Sequence, residues 1–434
     1  MWVGFAASAL FNILNMAHAF NPAVACMGQG YDLGALFTER PLSGLRPLYI
    51  AWRPELLGLG YLVSTDIALS AWTSYLLLRT EGMVAQILGF DLPGVPFDNH
   101  QGFGAFVAMA IVLLWTSRRA LAATFRRLWE RGKDLPGQAA ANEVLGLGLV
   151  AVGVLGMALW GLAAGVAPVP LAYYTLMLLL IALVYMRIRA QVGPPMSYVF
   201  PRDPIQAGVE LLGAAWLLPR GRLKPLAALR AMEYLSRSAV QSLAGTHIET
   251  LQIASITGTS RRTVFAIIAA GLVVGLLLGY HTHLTAYYLY GCNTLEGGTT
   301  EGGYRTAQAR GDYLQILSWY EGTAGRDPTQ FAFRVAGALT AGGFAVARLV
   351  WFGFPLHPLG FAMASTFGYH LWGPFFLVWL AKSLILRLGG ARLFRRLIPL
   401  FLGLAIGHFV VAGGVWGLLS AFSEHARRYV VWFT

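Results

Sequence analysis

The sequence predicts an all-α integral membrane protein, a polytopic bundle of about eight transmembrane helices plus one re-entrant hairpin. Three observations predict it. Hydrophobic residues make up 56% of the 434 and charged residues 12%, where soluble domains carry about 25% charge, and the mean hydropathy is +0.58. The apolar runs reach spanning length without a strict two-residue alternation, which favours helices over a barrel. Finally, the apolar block Leu356–Leu386 is about 31 residues long, too long for one crossing of about 20 residues and too short for two. Gly368, Gly373 and Pro374 interrupt its middle, and interrupted segments of this kind line transport sites in membrane carriers.

In chain order, apolar segments occupy 2–20, 55–78, 102–117, 143–166, 168–188, 263–284, 329–350 and 397–421, with the broken block at 356–386 in addition. No other region reads as a separate soluble domain, so 1–434 is a single transmembrane domain. Loop charge orients it. Residues 118–134 hold six basic and two acidic residues, 187–262 ten basic and four acidic, and 387–396 four basic and none acidic. Lys and Arg stay on the cytoplasmic side, so these stretches are expected there. Residues 79–101 and 285–328 are poor in basic charge and are expected outside. A simple crossing over 356–386 would then put Arg387, Arg392, Arg395 and Arg396 outside. A hairpin entered from the cytoplasm, turning near Tyr369–Pro374, removes the conflict. The rival is one long tilted helix with a proline kink. Residues 195–262 carry apolar residues at helical spacing with arginines between them. They read as amphipathic helices on the cytoplasmic surface or as a small packed cytoplasmic subdomain. RIRAQVGPP ends a helix at Pro194 and Pro195.

The formal charge of +12 would suggest nucleic acid in a soluble protein. Here the basic residues cluster between apolar blocks, so they read as a topology signal and no nucleic-acid partner is expected. The expected partner is the lipid bilayer, and the expected location is the inner (cytoplasmic) membrane, multi-pass. Cys26 and Cys292 stand far apart and outside any Cys/His spacing, so no metal site and no cofactor is predicted. No P-loop, GxSxG or HExxH run is present, and no catalytic residue is assigned.

Intramembrane polar groups are the functional candidates. Asp66 in YLVSTDIALSAW reads as a proton- or cation-coupling carboxylate, or as the first turn of a helix opened by Ser64 and Thr65. Asn12, Asn15 and His18 share one helix face and read as a polar lining or as interhelical glue. His370, Gly373 and Pro374 mark the turn of the broken block, and His408 lies mid-helix in FLGLAIGHFVVAGG as a proton relay, an anion contact or a satisfied core histidine. Lys382 is placed to snorkel to the cytoplasmic surface. Gly403 and Gly407 form a GxxxG pair that favours close helix packing.

The runs MWVGFAASALFNILNMAHAFNPAV, DLGALFTERPL, NHQGFGAFVAMAIVLLW, RIRAQVGPP, PLHPLGFAMAST and WLAKSLILRLGGARLFRRLIPLFLGLAIG resemble a family of bacterial and archaeal multi-spanning proteins known as domains of unknown function. That family is distantly similar to the oligopeptide transporter superfamily. The resemblance implies a secondary transporter of a small molecule, peptide or metal chelate, driven by protons. It also implies that relatives carry further helices before the segment matching Met1–Phe20, so that this chain is a shortened version. Gln191 and His408 stand where the family usually has an acidic residue. The alternatives are an intramembrane lipid-modifying enzyme, with His408 and the cytoplasmic arginines handling an acyl or phosphate donor, and a non-catalytic membrane subunit or inactive fragment.

Overall fold

The computed structural model describes the chain apart from residues 91, 130–136, 194–198, 202, 218–222, 238, 293–294, 296–302, 424–425 and 427–434. Pro194 and Pro195 lie outside the described residues. The chain divides into two compact units, Met1–Thr116 with Leu183–Arg202 and Ala332–Thr434, and Ser117–Ala182 with Asp203–Phe331. Among the described residues the regular structure is helical apart from one short β-ribbon. Among the described residues seven helices are long and apolar enough to cross a membrane, so the protein is multi-pass.

In the first unit, α1 (Trp2–Phe20) is followed by strands β1 (Gly30–Asp32) and β2 (Tyr49–Ala51), paired antiparallel with Gly30 opposite Ala51. The segment expected to cross at 55–78 is in fact broken. Helix α2 (Pro54–Gly60) ends before Tyr61, and α3 (Thr65–Ile87) starts afresh after Ser64. Next come α4 (Asp98–Trp129), α5 (Gly137–Ala163) and α6 (Pro168–Val192). Within the second unit are α7 (Pro204–Leu212), α8 (Leu223–Met232), α9 (Ala239–Thr257), α10 (Arg261–Tyr290) and α11 (Tyr304–Tyr320). The chain closes with α12 (Pro328–Val350), α13 (Pro358–His408), a π-helical turn at Phe409–Val415 and α14 (Trp416–Phe422).

Helix α13 organises the first unit, and it is not one rod. Its backbone leaves helical geometry at Phe367 (φ −139°, ψ 21°) and at Gly390 (φ 61°, ψ −164°). Only glycine adopts the second conformation without strain. The partners that α13 meets along α3 first ascend and then descend. A Cβ on Gly360 would meet Ser70, and one on Gly368 would meet Tyr75. Trp372 stacks on Tyr75, Trp379 lies 5.4 Å from Trp72, and Lys382 Nζ donates to the Val63 carbonyl at 2.5 Å. Lys382 is therefore buried and serves the gap between α2 and α3, where helix ends leave carbonyls unpaired. It does not snorkel to the surface.

Beyond Gly390, α13 runs alongside α1. A Cβ at Gly403 would lie 2.1 Å from the Met1 carbonyl oxygen, and one at Gly407 2.7 Å from that of Phe5. This is the close approach that small residues permit. It carries His408 to Asn12 and Trp416 to Phe20, with ring centroids 5.8 Å apart in the latter pair.

In the second unit, Val166, Leu171, Tyr174 and Leu178 form one core with Ile205, Val209, Leu217, Leu226, Leu229, Ile316 and Trp319. The Tyr174 hydroxyl donates to the Met232 carbonyl at 2.7 Å. Residues expected as an outer loop at 285–328 thus include a helix, α11, that packs with α7 and α8. An ion cluster joins the same segments. Asp312 accepts from Arg230 (Nη2, 2.7 Å) and Arg237 (Nη2, 2.7 Å), and Arg230 Nη1 lies 3.1 Å from Asp203 and also pairs with Glu233. Loop charge assigns 195–262 and 285–328 to opposite faces of the membrane. The structure nevertheless joins the two stretches directly, through the ion pairs of Arg230 and Arg237 with Asp312.

Candidate functional site

The site grows out of the junction between β2 and α2. Pro54 opens α2, where its missing N–H costs nothing, and it holds Arg53 extended before it (φ −119°, ψ 92°). That backbone lets Arg53 reach across the proline, and its Nε donates to Glu55 Oε1 at 2.8 Å. Glu55 is 1% exposed and Arg53 6%. The other Glu55 oxygen, Oε2, lies 3.3 Å from His408 Nε2. The pair is close enough for charge attraction, although it is not aligned as a full hydrogen bond.

On the far side of the imidazole, Asn12 Nδ2 stands 3.2 Å from His408 Nδ1 and donates to the Ser8 carbonyl at 2.7 Å. The Ser8 contact fixes the amide, since a flipped Asn12 would set two oxygens against each other. Nδ1 of His408 therefore accepts, and a neutral imidazole carries its proton on Nε2, facing Glu55. The result is a buried chain running from Arg53 through Glu55 and His408 to Asn12. His408 is 4% and Asn12 0% exposed.

This chain borders a cavity of about 170 Å³ lined by Phe11, Gln29, Tyr49, Ala51, Trp52, Arg53, Glu55, Tyr369, His370 and His408. The break at Phe367 places Tyr369 and His370 there. The His370 ring packs on Tyr369 (centroids 3.7 Å apart) and on Phe367 (4.7 Å), and Tyr369 lies 6.2 Å from Tyr49. The ribbon is tied to α13 by Trp372 Nε1, which donates to the Tyr49 carbonyl at 2.8 Å. Burial, and then the neighbouring Tyr369, raises the Tyr49 phenol above its ordinary pKa, so its hydroxyl stays protonated and able to donate.

A family model described as a family of unknown function, DUF6785, matches residues 1–433. The chain belongs to DUF6785. No curated protein matches it. The members of this constellation come from the two ends of the DUF6785 chain, which is why they share no local motif.

Of the residues singled out from sequence, the fold brings His370, His408 and Asn12 together. Gly373 lies beside the ribbon, where a Cβ would meet Ile50 at 3.0 Å, and Pro374 is buried within α13. Asn15 exchanges two hydrogen bonds with the Gly28 backbone (3.1 and 3.0 Å), and His18 Nδ1 contacts the Val24 carbonyl at 2.7 Å. Those two residues fasten the loop after α1. Asp66 stands apart from the cavity. It occupies the first turn of α3 and pairs with Arg348 Nη2 at 2.9 Å, with its side chain 34% exposed. A carboxylate is favoured at a helix N-terminus.

Sequence reasoning missed Arg53, Glu55 and Tyr49, while Tyr369 entered it only as the start of the expected turn. The signal for Glu55 was present as a carboxylate leading directly into the uncharged run LLGLGYLVST. Among the described residues no three His, Cys, Asp or Glu side chains converge as metal ligands, and Cys26 and Cys292 are exposed and free. What the arrangement can do chemically is hold one proton, on or off Glu55, beside a permanent guanidinium and next to a space large enough for a small solute.

Proposed function

We propose that the protein is a secondary transporter of the cytoplasmic (inner) membrane, with the Glu55 cavity as its solute site and Glu55 as its proton-coupling group. The observation that carries this reading is the buried group Arg53, Glu55 and His408 on the cavity wall, backed by Asn12 behind His408. Ionisable groups at such depth are costly and mark substrate and ion pathways. A second support is the broken backbone around it, at Phe367 in α13 and between α2 and α3, which is the construction carriers use for midplane sites. The rise and fall of the α13 partners along α3 favours the re-entrant hairpin over a single tilted crossing. The arginines at 387–396 then stay cytoplasmic.

The cavity also bounds the solute. Its volume of about 170 Å³ holds a small metabolite or one end of a longer solute.

The test is reconstitution into proteoliposomes carrying an entrapped pH dye, with a panel of small amino acids, carboxylates, polyols and dipeptides added outside. Solute-evoked proton entry in the wild type, lost in Glu55→Gln, is the expected result. Folded protein that shows neither solute-evoked proton flux nor thermal stabilisation with any member of the panel would overturn the reading.

A further inference from the structure

A second polar cluster forms in the first unit, where α12 ends and α3 and α13 begin. Arg348, in the last turn of α12, pairs through Nη2 with Asp66 Oδ2 at 2.9 Å, and both side chains are partly exposed. The Ser70 hydroxyl ties the loop before α13 to the same turn of α3. It accepts from the His357 N–H at 2.6 Å and donates to the Asp66 carbonyl at 2.5 Å. Arg187, exposed on α6, also acts electrostatically on His357. The loop itself is apolar and open, with Leu349, Val350, Trp351 and Phe352 all strongly exposed.

We propose that this corner binds an anionic phospholipid, its phosphodiester held by Arg348 and Arg187, with Trp351 and Phe352 at headgroup depth against the upper acyl chains. The site shares no residue with the Glu55 cavity.

Charge selects the head. Among the described residues, two guanidiniums and one carboxylate bear on His357. Burial, and then Arg348, lower the His357 imidazole to about 4, so at neutral pH it adds no charge. Its Nδ1 accepts from the Leu359 N–H at 3.1 Å, which leaves the proton on Nε2 as a donor. Lys382, which also feels Asp66, is buried on the Val63 carbonyl. The cluster therefore has an excess of positive charge, and its guanidiniums match phosphate oxygens in shape. Basic pockets between spanning helices on the cytoplasmic side hold anionic headgroups, and loop charge assigns Arg187 to that side.

The loop selects the rest of the molecule. Aromatic side chains settle at the membrane interface. A free phosphate would satisfy the guanidiniums and leave Leu349 to Phe352 uncovered. A zwitterionic lipid would cover the loop but bring a cation with its phosphate. An amphiphile with a net negative head does both.

The experiment titrates the full chain in detergent with phosphatidylglycerol or phosphatidylcholine, each brominated near the headgroup end of its acyl chains. The difference in tryptophan quenching between wild type and Trp351→Phe reports lipid beside Trp351. That difference is expected to saturate at a lower concentration of phosphatidylglycerol than of phosphatidylcholine. Arg187→Gln/Arg348→Gln should weaken the phosphatidylglycerol half-point about 25-fold, at about fivefold per guanidinium. Arg392→Gln/Arg395→Gln removes the same charge from exposed positions elsewhere on α13 and should change the half-point less than about twofold.

Equal half-points for the two lipids in the wild type, a comparison that needs no arginine variant, would overturn the proposal. Equal weakening by both pairs of substitutions would also overturn it, by marking general surface charge. Inorganic phosphate is the soluble comparator. Phosphate that displaces phosphatidylglycerol at equal concentration would make this a free-phosphate site and overturn the lipid as its occupant.

Discussion

Glu55 Oε2 lies 3.3 Å from His408 Nε2 inside the first unit, and the opposite carboxylate oxygen accepts from Arg53 Nε at 2.8 Å. A residue near the start of the chain and one near its end thus share a single buried charge site. Removing one member of such a pair leaves the other charge stranded, at about 3–5 kcal/mol, whereas replacing both with apolar groups of similar volume is close to neutral. Glu55→Ala is therefore expected to lower the thermal midpoint sharply, and Arg53→Met/Glu55→Met to recover most of the loss. Thermal unfolding in detergent checks this. Equal destabilisation by the single and double variants would show that the pair is not charge-coupled.

The α1–α13 contact gives a steric prediction. Gly407 has no room for a side chain, since its Cβ would sit 2.7 Å from the Phe5 carbonyl oxygen and 3.1 Å from Ser8 Cβ, whereas a Cβ at Gly414 meets nothing within 4 Å. Gly407→Val is expected to cost about 1–3 kcal/mol through overpacking. It should also reduce solute-evoked proton flux, because His408 is its chain neighbour. Gly414→Ala is expected to change stability by less than about 0.5 kcal/mol, or to improve it slightly, as alanine is the better helix former. The two thermal midpoints, measured side by side, decide.

The ion cluster of the second unit yields a pH prediction. Three carboxylates, Asp203, Glu233 and Asp312, share the guanidiniums of Arg230 and Arg237. The most buried of the three, Glu233, is pushed up to about 9 by burial and then by Asp203, while Asp312 is held below its ordinary value by bonds from Arg237 and Arg230, which outweigh its burial. Unfolded Glu233 loses its proton near 4.5. Between that pH and about 9 the folded protein holds a proton that the unfolded chain lacks, so stability falls as pH rises through this window. Asp312 acts in the opposite sense, its contribution being lost as pH falls below the ordinary carboxylate range. Glu233→Gln, which cannot titrate, should flatten the decline between pH 5 and 9 (a span of about four units). Parallel thermal midpoints for wild type and variant across that range would show that Glu233 is ionised throughout.

How far the sequence could be read depended on the kind of signal. The apolar helices were legible because spanning length is a direct demand of the bilayer. The interruption of α13 was legible because its length fitted neither one crossing nor two, and the Gly403–Gly407 contact because small-residue spacing is local. Asp66 read two ways, as a coupling carboxylate or a helix start, because composition does not register a break of four residues. The Ser64–Thr65–Asp66 run opens α3, and the carboxylate that lines the cavity stands before the break, at Glu55. Loop charge separated 195–262 from 285–328 for a different reason. Counting arginines treats them as unpaired, yet Arg230 and Arg237 both pair with Asp312, which belongs to a stretch counted separately. Nothing local in the sequence records that pairing.

The hairpin makes the last prediction. If α13 turns back at Phe367, the chain just before it and the chain around its Gly390 break lie on the same face of the membrane. Phe352 and Leu388 are both strongly exposed and sit on either side of the proposed hairpin. In a background lacking Cys26 and Cys292, Phe352→Cys and Leu388→Cys should both react with a membrane-impermeant maleimide in inside-out vesicles, and neither in right-side-out vesicles. A single tilted crossing would put the two cysteines on opposite faces, so that each vesicle orientation labels only one. Both residues are outside the cavity, so the labelling pattern reads chain path separately from solute binding. Either pattern also fixes which face the arginines at 387–396 occupy, and with it the side from which Tyr369 and His370 are reached.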